Sequence, residues 1–193
     1  PLGQFYFVPW RWDYFAQHRR ETDAPRSRSA PLYRLYWSLS MDLLLHLIVR
    51  LLARRLPRGC TRFFYRRVME WVLPQGWKVV DRSDRQLTMR HELFRHIEIE
   101  MFVRRPQLQA AVDFAAALIE YADGRADAIT PETQAKLAAA GAWETVAACF
   151  GRYQHHYPIC VRKVLPDDTL ISPAAGDETW YALSFISYAH PSE

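Results

Sequence analysis

The sequence predicts an α+β fold: a sheet with helices on one face, plus a helical insertion. Three observations carry this. Strand-like runs sit at both ends, "QFYFV" at residues 4–8 and two more at Ile159–Leu165 and Trp180–Tyr188. A further strand, "HIEIEMFV", runs straight into a long run with helical spacing. Strands separated by grouped helices argue an α+β sheet, and neither GxGxxG nor a P-loop points to a doubly wound nucleotide fold.

Each element has its own signal. Residues 4–8 alternate Gln4, Tyr6 and Val8 against Phe5 and Phe7, and Pro9 stops them. Residues 11–30, rich in Arg, Asp, Pro and Ser, read as an irregular loop. Residues 31–56 read as a helix opened by Pro31 and closed by Pro57–Gly59, and a second helix follows over about 60–73. A short strand is expected around Lys78–Val80. In "HIEIEMFV", Ile97, Ile99, Met101 and Val103 share one face; Glu98, Glu100 and Phe102 share the other. Leu108, Ala111, Val112, Ala115, Leu118 and Ile119 then mark a helix bounded by Pro106 and Gly124. Thr130 with Pro131 caps the next helix, and the last two strands follow.

Composition excludes some classes. The 193 residues are 50% hydrophobic and 24% charged, enough apolar matter for a core and too little charge for a disordered chain. The net charge of +4 concentrates in Arg50, Arg54, Arg55, Arg58, Arg62, Arg66 and Arg67. That cluster reads as a solvated helix face, or as a patch turned to a membrane surface or a partner. No nucleic-acid motif accompanies it, so nucleic acid is not an expected partner. The apolar run Leu43–Ala53 contains His46 and Arg50 and follows Asp42, and it falls short of the ~20 residues of a spanning helix. A peripheral membrane contact through its Leu/Trp face stays open. Three cysteines without ligand or pairing spacing suggest reduced thiols and a cytoplasmic setting. The sequence starts on Pro1 and enters a strand at once, which suggests a piece of a longer protein.

Candidate chemistry centres on Arg162. Cys160, Arg162 and Val164 share one face of their strand; Ile159, Val161, Lys163 and Leu165 share the other. A guanidinium there can pair with Glu98 or Glu100 as a plain structural ion pair. It can equally bind a polar substrate group or stabilise developing negative charge. Cys160 beside it is a buried inert thiol or a reactive one. His155 and His156 are adjacent and would face opposite ways, and His91 and His96 are poorly spaced, so no metal site is expected.

The segment "YPICVRKVLPDDTLISPAAGDETWYALSF" resembles the C-terminal part of FAD-dependent aldonolactone and alditol oxidases of the vanillyl-alcohol-oxidase superfamily. Tyr157-Pro158, Arg162, Asp167-Asp168, Leu170 and Ser172-Pro173 carry that resemblance. "RHIEIEMFVRRPQLQAAVDFAAALI" resembles the same group's Glu-rich strand and helix, and "QFYFVPWRWD" its N-terminal strand; residues 31–73 have no counterpart. The resemblance implies that residues 1–193 form one substrate, or cap, domain, a ferredoxin-like antiparallel sheet with a helical insertion at about 31–73. The FAD-binding domain would belong to the same parent polypeptide, outside this chain, and an isolated chain would be inactive. It implies catalytic roles for Arg162 and Cys160, flavin contact by Arg162, and contact with a small-molecule substrate by Glu98, Glu100 and Tyr157. The expected substrate is an alcohol or sugar lactone. Cys160 stands where the family has a glutamate, which keeps two alternatives in view: an apolar sterol- or lipid-like substrate, and a non-catalytic ferredoxin-like binding module.

Overall fold

The computed structural model describes residues 2–8, 10–53, 55–72, 75–88, 92–169 and 171–189, with backbone alone at 2–6, 41, 52, 53 and 87. Arg54, His91 and Leu170 lie outside the described residues. Five strands form one antiparallel sheet: β1 (Leu2–Phe7), β2 (Tyr14–Arg19), β3 (His96–Arg104), β4 (Ile159–Val164) and β5 (Trp180–Tyr188), in the order β2-β1-β4-β5-β3. β3 and β4 both run antiparallel to β5, which lies between them. The helices joining β3 to β4 therefore cross over an inserted strand, the split β-α-β unit of ferredoxin-like folds. The predicted α+β class stands.

Those crossover helices are α4 (Leu108–Ala122), α5 (Pro131–Ala139) and α6 (Trp143–Ala148). Val112 of α4 packs on Val161 of β4 and Leu183 of β5, and all three are buried. Thr130 caps α5, its hydroxyl accepting from the Thr133 amide at 3.2 Å. The two faces of β3 divide as their alternation predicts. However, Ile97, Ile99 and Met101 are exposed, because β3 is the sheet's edge and the core cluster under α4 centres on β4 and β5.

The insertion forms two helical stretches. α1 (30–53) runs as Ala30–Ser38, a wide π-type stretch Leu39–Leu44, an α turn Leu45–Leu47 and a second wide stretch Ile48–Ala53. α2 (58–72) has the same character, with a wide stretch at Phe64–Val68. The inner side of α1 places Leu45, Ile48 and Val49 against Phe94 and Tyr157, with Ile186 and Tyr188 of β5 packed alongside. Polar residues that interrupt the apolar run have local partners. Asp42 Oδ1 accepts from the amides of Leu93 (2.9 Å) and Phe94 (2.7 Å), pinning α1 to the start of β3. His46 Nδ1 lies 3.1 Å from the Tyr188 hydroxyl.

Two local expectations need correction. Residues 14–19, read as loop, form β2. The turn from β1 to β2 puts Trp10 (φ 67°) and Trp12 (φ 58°) in the left-handed region, where glycine or asparagine is usual, so the common turn signal is missing. The segment around Lys78–Val80 is extended without joining a strand; Val80 instead exchanges hydrogen bonds with Ser27. A short helix, α3 (Ser83–Leu87), follows it.

The arginine cluster divides between inside and outside. Arg58 donates to the carbonyls of Asp123 and Gly151, Arg62 pairs with the Asp123 carboxylate, and Arg66 Nε donates to the Trp10 carbonyl. These three tie α2 to the end of α4 and to the β1–β2 turn. Arg50, Arg55 and Arg67 are exposed.

Candidate functional site

Register decides which side chains meet. Arg162 of β4 is paired with Ala182 of β5, Ser184 of β5 with Glu100 of β3, and Glu98 with Ile186. Registered partners project to the same side of a sheet. Cys160, Arg162, Ser184, Glu98 and Glu100 therefore share the face opposite Val161 and Leu183. β4 and β3 are not neighbours, so the arginine reaches its glutamates across β5.

The cluster is tightly connected. Arg162 Nη2 lies 2.9 Å from Glu98 Oε1, 2.8 Å from Glu100 Oε1 and 2.8 Å from Ser184 Oγ. Ser184 Oγ in turn donates to Glu100 Oε1 at 2.7 Å. Ser184 and Cys160 are buried, while the side chains of Arg162, Glu98 and Glu100 are 39%, 33% and 34% exposed. Arg162 Nε is buried, and the Cys160 side chain is a hydrogen-bonding neighbour of the guanidinium. Burial alone would lower the Arg162 pKa; Cys160, Glu100 and Glu98 outweigh it and raise it. The guanidinium is thus a permanent cation at the centre of two carboxylates.

This arrangement suits a polar guest. Ion pairs this exposed contribute about 0–1 kcal/mol each, so stability is a weak reason for three charges and a buried hydroxyl to converge. A hydroxyl placed there finds a cationic donor and carboxylate acceptors within one side chain's reach. Glu98 and Glu100, brought in from two strands away, supply the carboxylates beside Arg162. Their alternation in "HIEIEMFV" was the visible signal. Ser184 was missed, because a serine in an apolar strand gives no sign that it lies between a guanidinium and a carboxylate.

Tyr157 does not join this cluster. It is buried and stacks on Phe94 (ring centroids 5.7 Å apart, planes 20° apart). With Pro158 it lines a narrow apolar cavity of about 40 Å³ beneath α1, walled also by Phe15, Trp37, Leu44 and Ile48. Pro158 precedes Arg162 by four residues, about 13 Å of extended chain. A larger cavity of about 310 Å³ shares Phe15, Trp37 and Met69 with the first, and it is rimmed by Arg11, Gln17 and Glu70. Gln17 and Arg162 both pair with Gln4, which puts Gln17 on the Arg162 side of the sheet.

Comparison with known proteins adds one relative. Over its whole length the chain is 53% identical to a "Long-chain alcohol oxidase" of an uncultured marine euryarchaeote. It spans 40% of that protein's length. No protein-family description matches the chain, and no solved structure matches it.

The remaining candidates are structural. His155 and His156 are buried: His155 Nδ1 lies 2.9 Å from the Tyr153 hydroxyl, and His156 Nε2 accepts from the Tyr188 amide at 3.0 Å. Among the described residues no group of three His, Cys, Asp or Glu could hold a metal. All three cysteines are free thiols. In the segment that carries the family resemblance, Asp167 accepts from Ser172 Oγ (2.6 Å) and from Thr169, folding the "DDTLISP" turn about one carboxylate.

Proposed function

We propose that this chain is the substrate-side, or cap, domain of an FAD-dependent oxidase that converts a long-chain alcohol to its aldehyde. The observation that carries this reading is the 53% identity, end to end, with a long-chain alcohol oxidase. The charged cluster, and the apolar cavity that Pro158 lines about 13 Å of extended chain away, supply the two chemistries such a substrate needs. The partner is the flavin domain of the same polypeptide, and residues 1–193 act as one unit against it.

The residues fit the reacting side of a flavin site. Arg162 offers a fixed cation held by Glu98, Glu100 and Ser184. FAD held by another part of the polypeptide would supply a hydride acceptor for the carbinol carbon. On this reading Arg162 donates to the alcohol oxygen, and Glu100 accepts the hydroxyl proton, leaving the aldehyde. Glu98 shares the same Nη2 with Glu100 and Ser184 and steadies the guanidinium. Cys160 is a positioning residue whose side chain lies against the Arg162 guanidinium. A thiol accepts a polyol's hydrogen bonds poorly, so the cysteine favours an alkyl alcohol over an aldonolactone. Tyr157 and Pro158 contact the alkyl chain rather than the hydroxyl.

The test is a substrate panel with the full-length polypeptide: oxygen consumption with butanol, decanol, hexadecanol and an aldonolactone. The reading predicts turnover that rises with chain length and is negligible with the lactone. Preference for the lactone would overturn the substrate assignment.

A further inference from the structure

α1 carries a second apolar face that no described residue covers. Leu32, Leu35, Leu39, Leu43, Leu47 and Leu51 are 40–59% exposed, while Leu45, Ile48 and Val49 on the inner side are 2–5% exposed. From Leu35 onward the spacing is a strict four. In an ordinary α-helix of 3.6 residues per turn, a four-residue repeat drifts around the axis and the leucines would scatter. Here the wide stretches Leu39–Leu44 and Ile48–Ala53 underwind the helix, since i→i+5 bonding puts more residues in each turn. The same stretches that break regular α geometry keep the leucines in one row.

Charge identifies what the row meets. Arg50 follows Leu47 by three residues, a spacing that keeps neighbours together on a helix surface, and Arg55 comes two residues after the end of α1. Both are exposed, and neither has a carboxylate partner among the described residues. A row of leucines flanked by unpaired arginines is the pattern of a helix lying in the headgroup boundary of an anionic bilayer. Among the described residues no helix is long and apolar enough to cross a membrane.

We propose that the leucine row of α1 docks the protein on an anionic lipid surface, with the helix lying in the plane of the membrane. This goes beyond the oxidase reading and does not depend on it. A second copy of the chain, or the rest of the polypeptide, would be the occupant if the row served a protein contact.

The experiment is co-sedimentation of the full-length polypeptide with vesicles of phosphatidylcholine alone and with added phosphatidylglycerol. Binding is expected to the anionic vesicles and to weaken with salt. Leu39→Ser, Leu43→Ser and Leu47→Ser should each weaken it about tenfold, since each removes apolar area from the contact. Arg50→Glu with Arg55→Glu should abolish the preference for phosphatidylglycerol. Leu165→Ser, an exposed leucine elsewhere, should change nothing, and melting temperatures should stay level across the set. No binding to either vesicle overturns the proposal. So does a dimer, seen by sedimentation velocity, that the three leucine variants dissociate.

Discussion

Arg162 meets two glutamates and a serine hydroxyl within hydrogen-bonding distance, with a third or more of each charged side chain still in water. That balance sets what its removal should do. Because the pairs are partly exposed, Arg162→Ala should cost no more than about 1–2 kcal/mol of stability. In the full-length enzyme it should lower kcat/KM by roughly 100–1000-fold, the loss typical of a donor aimed at the reacting oxygen. Comparing the denaturant midpoint with flavin reduction separates the two; a large stability loss with an unchanged rate would make the cluster structural. Glu100→Gln keeps the shape and removes the base, and should slow hydroxyl oxidation about 100-fold or more. The same change at Glu98 should cost less. Rapid-mixing rates of the two variants check that order.

Elements explain what a sequence reading can and cannot reach. The alternation of β3 and β4 correctly assigned Glu98, Glu100 and Arg162 to polar faces, and the helical period of α4 held. β2 was hidden because its turn uses two tryptophans in the left-handed region. The contact between Arg162 and the glutamates was legible as chemistry but not as geometry: it needed the order β4-β5-β3, which local pattern does not encode. Ser184 and the cavity at Tyr157 depend on the same long-range packing. Between α6 and β4 the chain also buries His155, and burial, helped by His156, lowers its imidazole to about 3. The unfolded chain takes up that proton near pH 6.5. The contribution is therefore complete above about pH 6.5 and is lost progressively as pH falls toward 3, at roughly 1 kcal/mol per unit. Urea midpoints between pH 7 and pH 5 should fall steeply, and His155→Gln should flatten that slope. In α1, Leu44 is half-buried and walls the apolar cavity. Leu44→Trp should lower kcat/KM for hexadecanol about 10–100-fold and leave butanol unchanged.

At the scale of the whole molecule, one face of a five-stranded sheet carries a charged cluster, and the insertion adds an apolar cavity on one side and an exposed leucine row on the other. On the proposed readings, such a plan would take an amphiphile from a lipid surface, its hydroxyl to the cluster and its chain to the cavity. The described residues contain no glycine-rich cradle for a diphosphate, so the account requires the flavin to be held by another part of the same polypeptide. The most direct test is anaerobic titration of the purified full-length protein with hexadecanol, followed by visible absorbance. The account predicts a flavin spectrum that bleaches as alcohol is added, much more slowly in Arg162→Ala. A full-length protein that purifies without flavin absorbance, or a flavin that no alcohol bleaches, would contradict it.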